Sequence, residues 1–227
     1  MEEYSVIVKE MTIKQDMYYK DQIILKYTIN YPKFISETFQ TMVSKLNTLY
    51  ETKALMYEKS NIQHLYQMAM VEYEYSVANN FPIRQFEAYV TFDVTYNQNC
   101  AVSLYFDQYE YAGGAHGLTY RYSDTWDLQR SKRISLHELF PDKTNDKENI
   151  IQSINQQIAS DIVGGNNMYF DNYSDLVNEN FKPNNFYLTK KGVNIYFQQY
   201  DIAPYAAGLP TFLIPYALQG PIPPSCV

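Results

Sequence analysis

At the start of the chain Tyr4, Val6 and Val8 sit two apart, interleaved with Ser5, Ile7 and Lys9, and a second β-rich run extends from Gln22 to Tyr31, just before Pro32. Side chains two apart share one face of a strand, so the pattern predicts two pairing strands over 4–13 and 22–31. Residues 33 to 79 contain neither Gly nor Pro, and Phe34, Thr38, Met42, Lys45, Leu46 and Leu49 recur at a mostly helical spacing. With Pro32 suited to the first helical position, this is the main helical segment. Ser60-Asn61-Ile62-Gln63 has the spacing of a capping box, which leaves two forms open: one long bent helix, or two helices broken near residue 60.

The period changes after Phe81-Pro82. Phe86, Ala88, Val90, Phe92 and Val94 alternate with Glu87, Tyr89, Thr91 and Asp93, the pattern of a half-buried strand. Asn97-Gln98-Asn99 supplies turn chemistry, Ala101 to Tyr111 reads as the hairpin partner, and Leu118 to Leu128 as a further strand. Ser135-Leu136-His137-Glu138 is a second capping box, opening a short helical turn that Pro141 stops. Ile150, Ile151, Ile154, Ile158 and Ile162 form one apolar stripe ending at Gly164-Gly165, hence a helix with one buried face. Residues 166–185 give no clear period. Phe186 to Leu188, Val193 to Tyr200 and Thr211 to Ile214 read as closing strands, and the Pro-rich end, GPIPPSCV, as a frayed tail.

This order predicts an α+β fold, an antiparallel β-sheet packed on one side by helices that include one long N-terminal helical segment. The expected organisation is a strand pair plus helical subregion over 1–82, an α+β subregion over 83–218 and a tail over 219–227. With 227 residues, 46% of them apolar, the chain can bury a continuous core.

Charge narrows the partners. With 25 acidic against 18 basic residues the net charge is -7, which disfavours nucleic acid and anionic lipid and suits a basic partner. The acidic N-terminus lacks the basic region of a secretory peptide, and no stretch reaches the roughly 20 apolar residues that span a bilayer. A native start therefore implies a cytoplasmic protein without membrane insertion, whereas a trimmed leader would leave export open. Cys100 and Cys226 lack CxxC spacing and are expected as a buried small hydrophobe and a tail thiol, with a single disulfide between them as the alternative.

Candidate chemistry concentrates in YEYAGGAHGLTY, residues 109–120, which holds three of the eight glycines and one of the three histidines. Neither G-x-G-x-x-G nor a P-loop is present and no helix follows, so phosphate binding is not indicated. With strands on both sides, Gly113, Gly114 and Gly117 are expected to supply positive φ angles, a bulge or a close backbone approach. His116 is expected to make an orienting hydrogen bond in the turn. Its alternative is a general base beside Glu110 or Asp107. His64 and His137 lie on helices with no ligand spacing, so no metal and no cofactor are expected. Asp93, Asp107, Glu110, Asp124 and Asp127 lie on or beside predicted strands, where solvent-facing charge is the simpler reading than a glycosidase pair. The 24 tyrosines suit strands, protein interfaces and sugar stacking alike.

YDIAPYAAGLPTFLIPY, residues 200–216, together with EYAGGAHGLTYRYSDTWDL and ISLHELF, resembles the RsiV-like family, a bacterial domain of unknown function found mainly in Firmicutes, over nearly the whole chain. In the anti-sigma factor that gives this family its name the domain is extracytoplasmic and binds lysozyme, and a similar domain precedes the catalytic part of a peptidoglycan deacetylase. The resemblance thus implies a non-catalytic, extracytoplasmic binding domain whose partner is a basic protein such as lysozyme or a cell-wall glycan. Pro204, Gly208 and Pro210 would force an irregular bend, and the three glycines would let a neighbouring strand approach it. Tyr109, Glu110, Tyr111, His116, Tyr200, Asp201 and Tyr205 would line a polar-aromatic ligand surface beside that joint. The competing reading is a glycan or ester hydrolase built on His116 and a carboxylate.

Overall fold

A computed structural model describes residues 4–141, 146–166, 168–217 and 220–226. The architecture is α+β: a mixed six-stranded sheet, a second sheet of three strands, and helices that include one of 39 residues. The chain divides into two compact units, one of residues 7–92 and 106–120, the other of 1–6, 93–105 and 121–227.

In the first unit, β1 (Ile7–Tyr19) and β2 (Gln22–Ile35) form the expected hairpin. Both strands run further than the alternation predicted. Pro32 lies inside β2, opposite Glu10, instead of opening a helix. Its missing N–H faces away from β1, on the side where Asn47 takes both backbone groups of Phe34, so no ladder bond is lost. The long helix starts at Gln40 and comprises α1 (Gln40–Tyr57), a π-helical turn (Glu58–Ile62) and α2 (Gln63–Ala78). It is one continuous helix. Ser60 does not cap a second helix; its hydroxyl donates back to Met56 O at 2.7 Å. At the turn two successive residues both bond outside the helix, the Tyr57 hydroxyl donating to Glu110 Oε1 and Glu58 Oε1 accepting from the Tyr27 hydroxyl, each at 2.5 Å. Residues one apart on a regular α-helix point about 100° apart, and a π-turn changes that spacing. The helix crosses over between β2 and β3 (Phe86–Gln98), which is why these strands run parallel, Leu25–Ile29 beside Phe86–Val90. Leu25, Ile29, Phe34, Leu46, Tyr50, Phe86, Val90 and Phe106 fill this core, with the Tyr50 and Phe106 rings stacked at 5.3 Å.

β4 (Ala101–Tyr111), β5 (Leu118–Asp127) and the short β6 (Lys132–Arg133) complete the first sheet in sequence order. In the second unit, the capping box at Ser135 closes on Glu138 and opens a 3-10 turn, Leu136–Leu139, as predicted. Helices α3 (Asp146–Val163) and α4 (Tyr173–Asn180) and the antiparallel strands β7 (Phe186–Thr189), β8 (Gly192–Tyr196) and β9 (Thr211–Pro215) surround Ile150, Ile154, Ile158, Phe186, Val193, Ile195 and Phe212. The α4 helix falls in the stretch with no sequence period. Two expectations are corrected here: Cys100 and Cys226 form a disulfide, and the chain end is tied down, with Ile222 N–H donating to Leu139 O at 2.7 Å. Among the described residues no helix is long and apolar enough to cross a membrane.

Candidate functional site

Strand alternation sorts the tyrosine-rich end of β4. Tyr109 and Tyr111 share one face and Glu110 takes the other, where its carboxylate accepts the Tyr57 hydroxyl under the helix. Glu110 is thus held on the helix side, away from the open face. On that open face the Tyr109 ring stacks on Tyr89 of β3, centroids 6.0 Å apart and planes 22° from parallel. Gly117 makes this possible: a Cβ there would lie 2.4 Å from Tyr109 Cε2 and Cζ and 2.6 Å from Glu110 O. The glycine therefore seats a ring, a close approach that no other residue allows. Packing of the Tyr89 phenol, beside Glu87, Tyr109 and Asp16, raises its pKa above the ordinary value. The result is a partly exposed aromatic platform, Tyr89 exposed and Tyr109 half-buried, with carboxylates on its margin.

The rest of the glycine segment holds itself in shape. Gly113 has φ 83°, its added Cβ would sit 3.0 Å from the Phe86 ring, and the Arg84 guanidinium donates to its carbonyl. The Tyr111 hydroxyl donates to Gly114 O at 3.1 Å. His116 is exposed, and its Nδ1 bonds Gly117 O at 3.0 Å, so Nδ1 carries the proton.

In the second unit the YDIAPYAAG segment builds a turn. Tyr200 has φ 68°, and the Asp201 carboxylate accepts the Gln198 N–H at 2.7 Å while its carbonyl accepts Asn180 Nδ2 at 2.9 Å. Burial raises the Asp201 carboxyl pKa. Gln198 in turn clamps the Arg121 backbone, accepting its N–H at 2.9 Å and donating to its carbonyl at 2.6 Å. The Arg121 guanidinium lies 3.8 Å from the Tyr105 ring centre, with Tyr196 at 5.8 Å and Tyr187 at 6.0 Å. Pro204 leads into a 3-10 turn, Tyr205–Ala207, and Gly208 follows at φ 68°, ψ -128°. Pro210 O accepts the Phe197 N–H at 2.9 Å. The Tyr200 and Tyr205 rings face each other at 6.2 Å.

Of the seven expected ligand residues, Tyr109, Glu110, Tyr111 and His116 belong to the first unit and Tyr200, Asp201 and Tyr205 to the second. What fills the space at Gly117 and Gly113 is Tyr109 and Phe86, and a Cβ on Gly208 would meet nothing within 4 Å. Two carboxylates of the glycosidase reading serve the backbone and an ion pair: Asp127 accepts the N–H groups of Gln129 and Arg130, and Asp124 pairs with Arg133 at 2.6 Å. Sequence reasoning missed Tyr89, whose partner lies on another strand, and two depressions beside α3. One, of about 320 Å³, is lined by Leu136, Ile150, Phe181 and the His137–Asp146 pair, whose Nδ1–Oδ2 distance is 2.6 Å; the other, wider and open, runs past Gln152, Asn155 and Gln156 to Asn178. The far walls of both, Phe181 and Asn178, come from the stretch that gave no sequence period.

Residues 19–119 match the family described as Deacetylase PdaC, and residues 137–217 match the Protein of unknown function (DUF3298). The chain is 23% identical over 179 residues to the peptidoglycan-N-acetylmuramic acid deacetylase PdaC of Bacillus subtilis, an alignment covering 78% of this chain and 34% of that protein, so the chain spans about a third of this relative. Two solved structures share the fold. A DUF3298 family member from Bacteroides fragilis superimposes with TM-score 0.71 at 17% identity, covering 95% of this chain and 92% of that one. One from Pseudomonas aeruginosa superimposes with TM-score 0.59 at 18% identity, covering 96% and 95%.

Proposed function

We propose that this chain, whose first part matches the PdaC family model and whose second part matches the DUF3298 model, is a non-catalytic binding domain that recognises cell-wall glycan. The observation that carries this reading is the Tyr89–Tyr109 platform, a stacked pair of one exposed and one half-buried ring seated on Gly117. Sugar rings present C–H faces to such surfaces, and the phenol tips and the Glu87 carboxylate offer hydrogen bonds to hydroxyl and amide groups at the edges. A relative named for acting on peptidoglycan supports the choice of glycan. Of the residues of the hydrolase reading, Glu110 is engaged by the Tyr57 hydroxyl on the helix side of the sheet.

A second reading, a basic protein such as lysozyme, has its own support in the net charge of -7 and the acidic margin of the platform. Calorimetric titration with soluble muropeptides and with lysozyme tests both. The glycan reading expects saturable muropeptide binding that Tyr109→Ala weakens at least tenfold and His116→Ala leaves unchanged. No heat with either ligand at high micromolar concentration contradicts both readings. Binding to lysozyme alone, weakening with added salt, selects the second.

A further inference from the structure

β1 stands at the margin of the six-stranded sheet, with β2 as its one neighbour. The direction of its backbone groups follows from β2. Both the N–H and the carbonyl of Phe34 bond Asn47, at 2.7 and 3.0 Å, so they point away from β1. Phe34 lies opposite Val8, and in an antiparallel ladder the two members of such a pair both turn their backbone groups outward. Val8, Glu10, Thr12, Lys14 and Asp16 therefore present N–H and carbonyl groups to the outside, up to the irregularity at Met17/Tyr18. Beyond it the Tyr18 carbonyl is taken by the Tyr66 hydroxyl at 2.6 Å. The corresponding margin of β2 is covered by Asn47, whereas the margin of β1 between Val8 and Asp16 carries no such cover among the described residues. Along it Ile7 and Met11 are exposed at 46% and 36%.

We propose that two copies of this chain pair through β1, antiparallel about a two-fold axis at Thr12, to form one continuous sheet. The side chains select this register. Centred on Thr12, Glu10 of one copy faces Lys14 of the other, twice by symmetry, and Met11 faces Ile13. A shift of the pairing by two residues in one direction sets Glu10 against Asp16. In the other it removes the opposite-charge pairs and leaves Glu10 facing Thr12. Like charges directly opposite are unfavourable and opposite charges favourable on a sheet face. Outward-pointing residues fall opposite one another in this register, so Val8–Asp16, Glu10–Lys14 and Thr12–Thr12 are hydrogen-bonded pairs, giving about ten new backbone bonds for the five pairs. The interface is isologous and closes at two copies.

Sedimentation velocity on the whole chain, from micromolar to millimolar, is expected to show a reversible dimer. Thr12→Pro removes the outward N–H at the axis and leaves the β1–β2 ladder whole; it is expected to give a monomer with an unchanged circular dichroism spectrum. Glu10→Lys sets Lys against Lys at both pairs and is expected to raise the dissociation constant at least tenfold, and Glu10→Lys combined with Lys14→Glu is expected to restore it. Thr12→Cys is expected to cross-link to twice the chain mass under mild oxidation, because opposed residues of a hydrogen-bonded pair sit about 5.5 Å apart at Cα. A monomer at every concentration overturns the proposal, as does a dimer that Thr12→Pro leaves intact or that Thr12→Cys fails to cross-link.

Discussion

The Cys100–Cys226 bond closes a loop across 126 residues of sequence, and its removal is the perturbation whose size the structure specifies best. In the chain-entropy description a cross-link stabilises by restricting the unfolded chain, and a loop of this length corresponds to about 5 kcal/mol at 25 °C. Cys100 is also buried and sits at positive φ in the two-residue turn between β3 and β4, where its N–H bonds Tyr4 O at 3.1 Å and its carbonyl accepts the Leu128 N–H at 2.8 Å. The bond therefore anchors the chain end to a turn that already fixes two other segments. Urea unfolding of the Cys226→Ser variant, which leaves the turn residue in place, is expected to show a loss of about 3–5 kcal/mol, a midpoint lowered by about 1–2 M at a slope of ~2–3 kcal/mol/M. Thiol titration of the unfolded, unreduced protein is expected to find no free cysteine. Two free thiols, or an unchanged midpoint in the variant, would refute the reasoning.

Two glycines separate space from conformation. Gly117→Ala forces a Cβ to 2.4 Å from the Tyr109 ring and is expected to cost about 1–3 kcal/mol in thermal unfolding and to lower glycan affinity with it. Gly208→Ala meets no atom but keeps φ 68°, ψ -128°, so a cost of about 1–3 kcal/mol there, with glycan binding intact, isolates backbone strain. The Glu138 carboxyl is held down to about 2, first by Lys132 and then by the Ser135 N–H. A depressed carboxylate stabilises above its unfolded pKa of 4.5 and loses that contribution as pH falls toward 2. For so exposed a pair the contribution is at most about 1 kcal/mol. Glu138→Gln is expected to flatten stability between pH 4.5 and 2 relative to the parent.

Much of the fold was legible where one periodicity persists. The alternation of Phe86 to Val94, the isoleucine stripe of α3 and the Ser135 capping box each appear where the pattern put them, because local side-chain chemistry decides them. The misplaced helix start shows the limit. Pro32 reads as a helix opener, yet it sits in β2 because Asn47, fifteen residues on, satisfies the neighbouring backbone. The parallel β2–β3 pairing and the disulfide likewise depend on contacts that no local window contains. At the candidate site close approach was one of the roles expected of the glycines, but not what approaches Gly113 and Gly117. Tyr109 is local to the segment, whereas Tyr89 joins it only through sheet order.

The most direct test of the binding platform is a ¹⁵N chemical-shift titration of the whole chain with a soluble muropeptide. The account predicts fast or intermediate exchange shifts clustered at Glu87, Tyr89, Tyr109 and Gly117, saturating together. Saturable shifts confined to the α3 depressions around Ile150 and Asn155, or none at millimolar muropeptide, would contradict it.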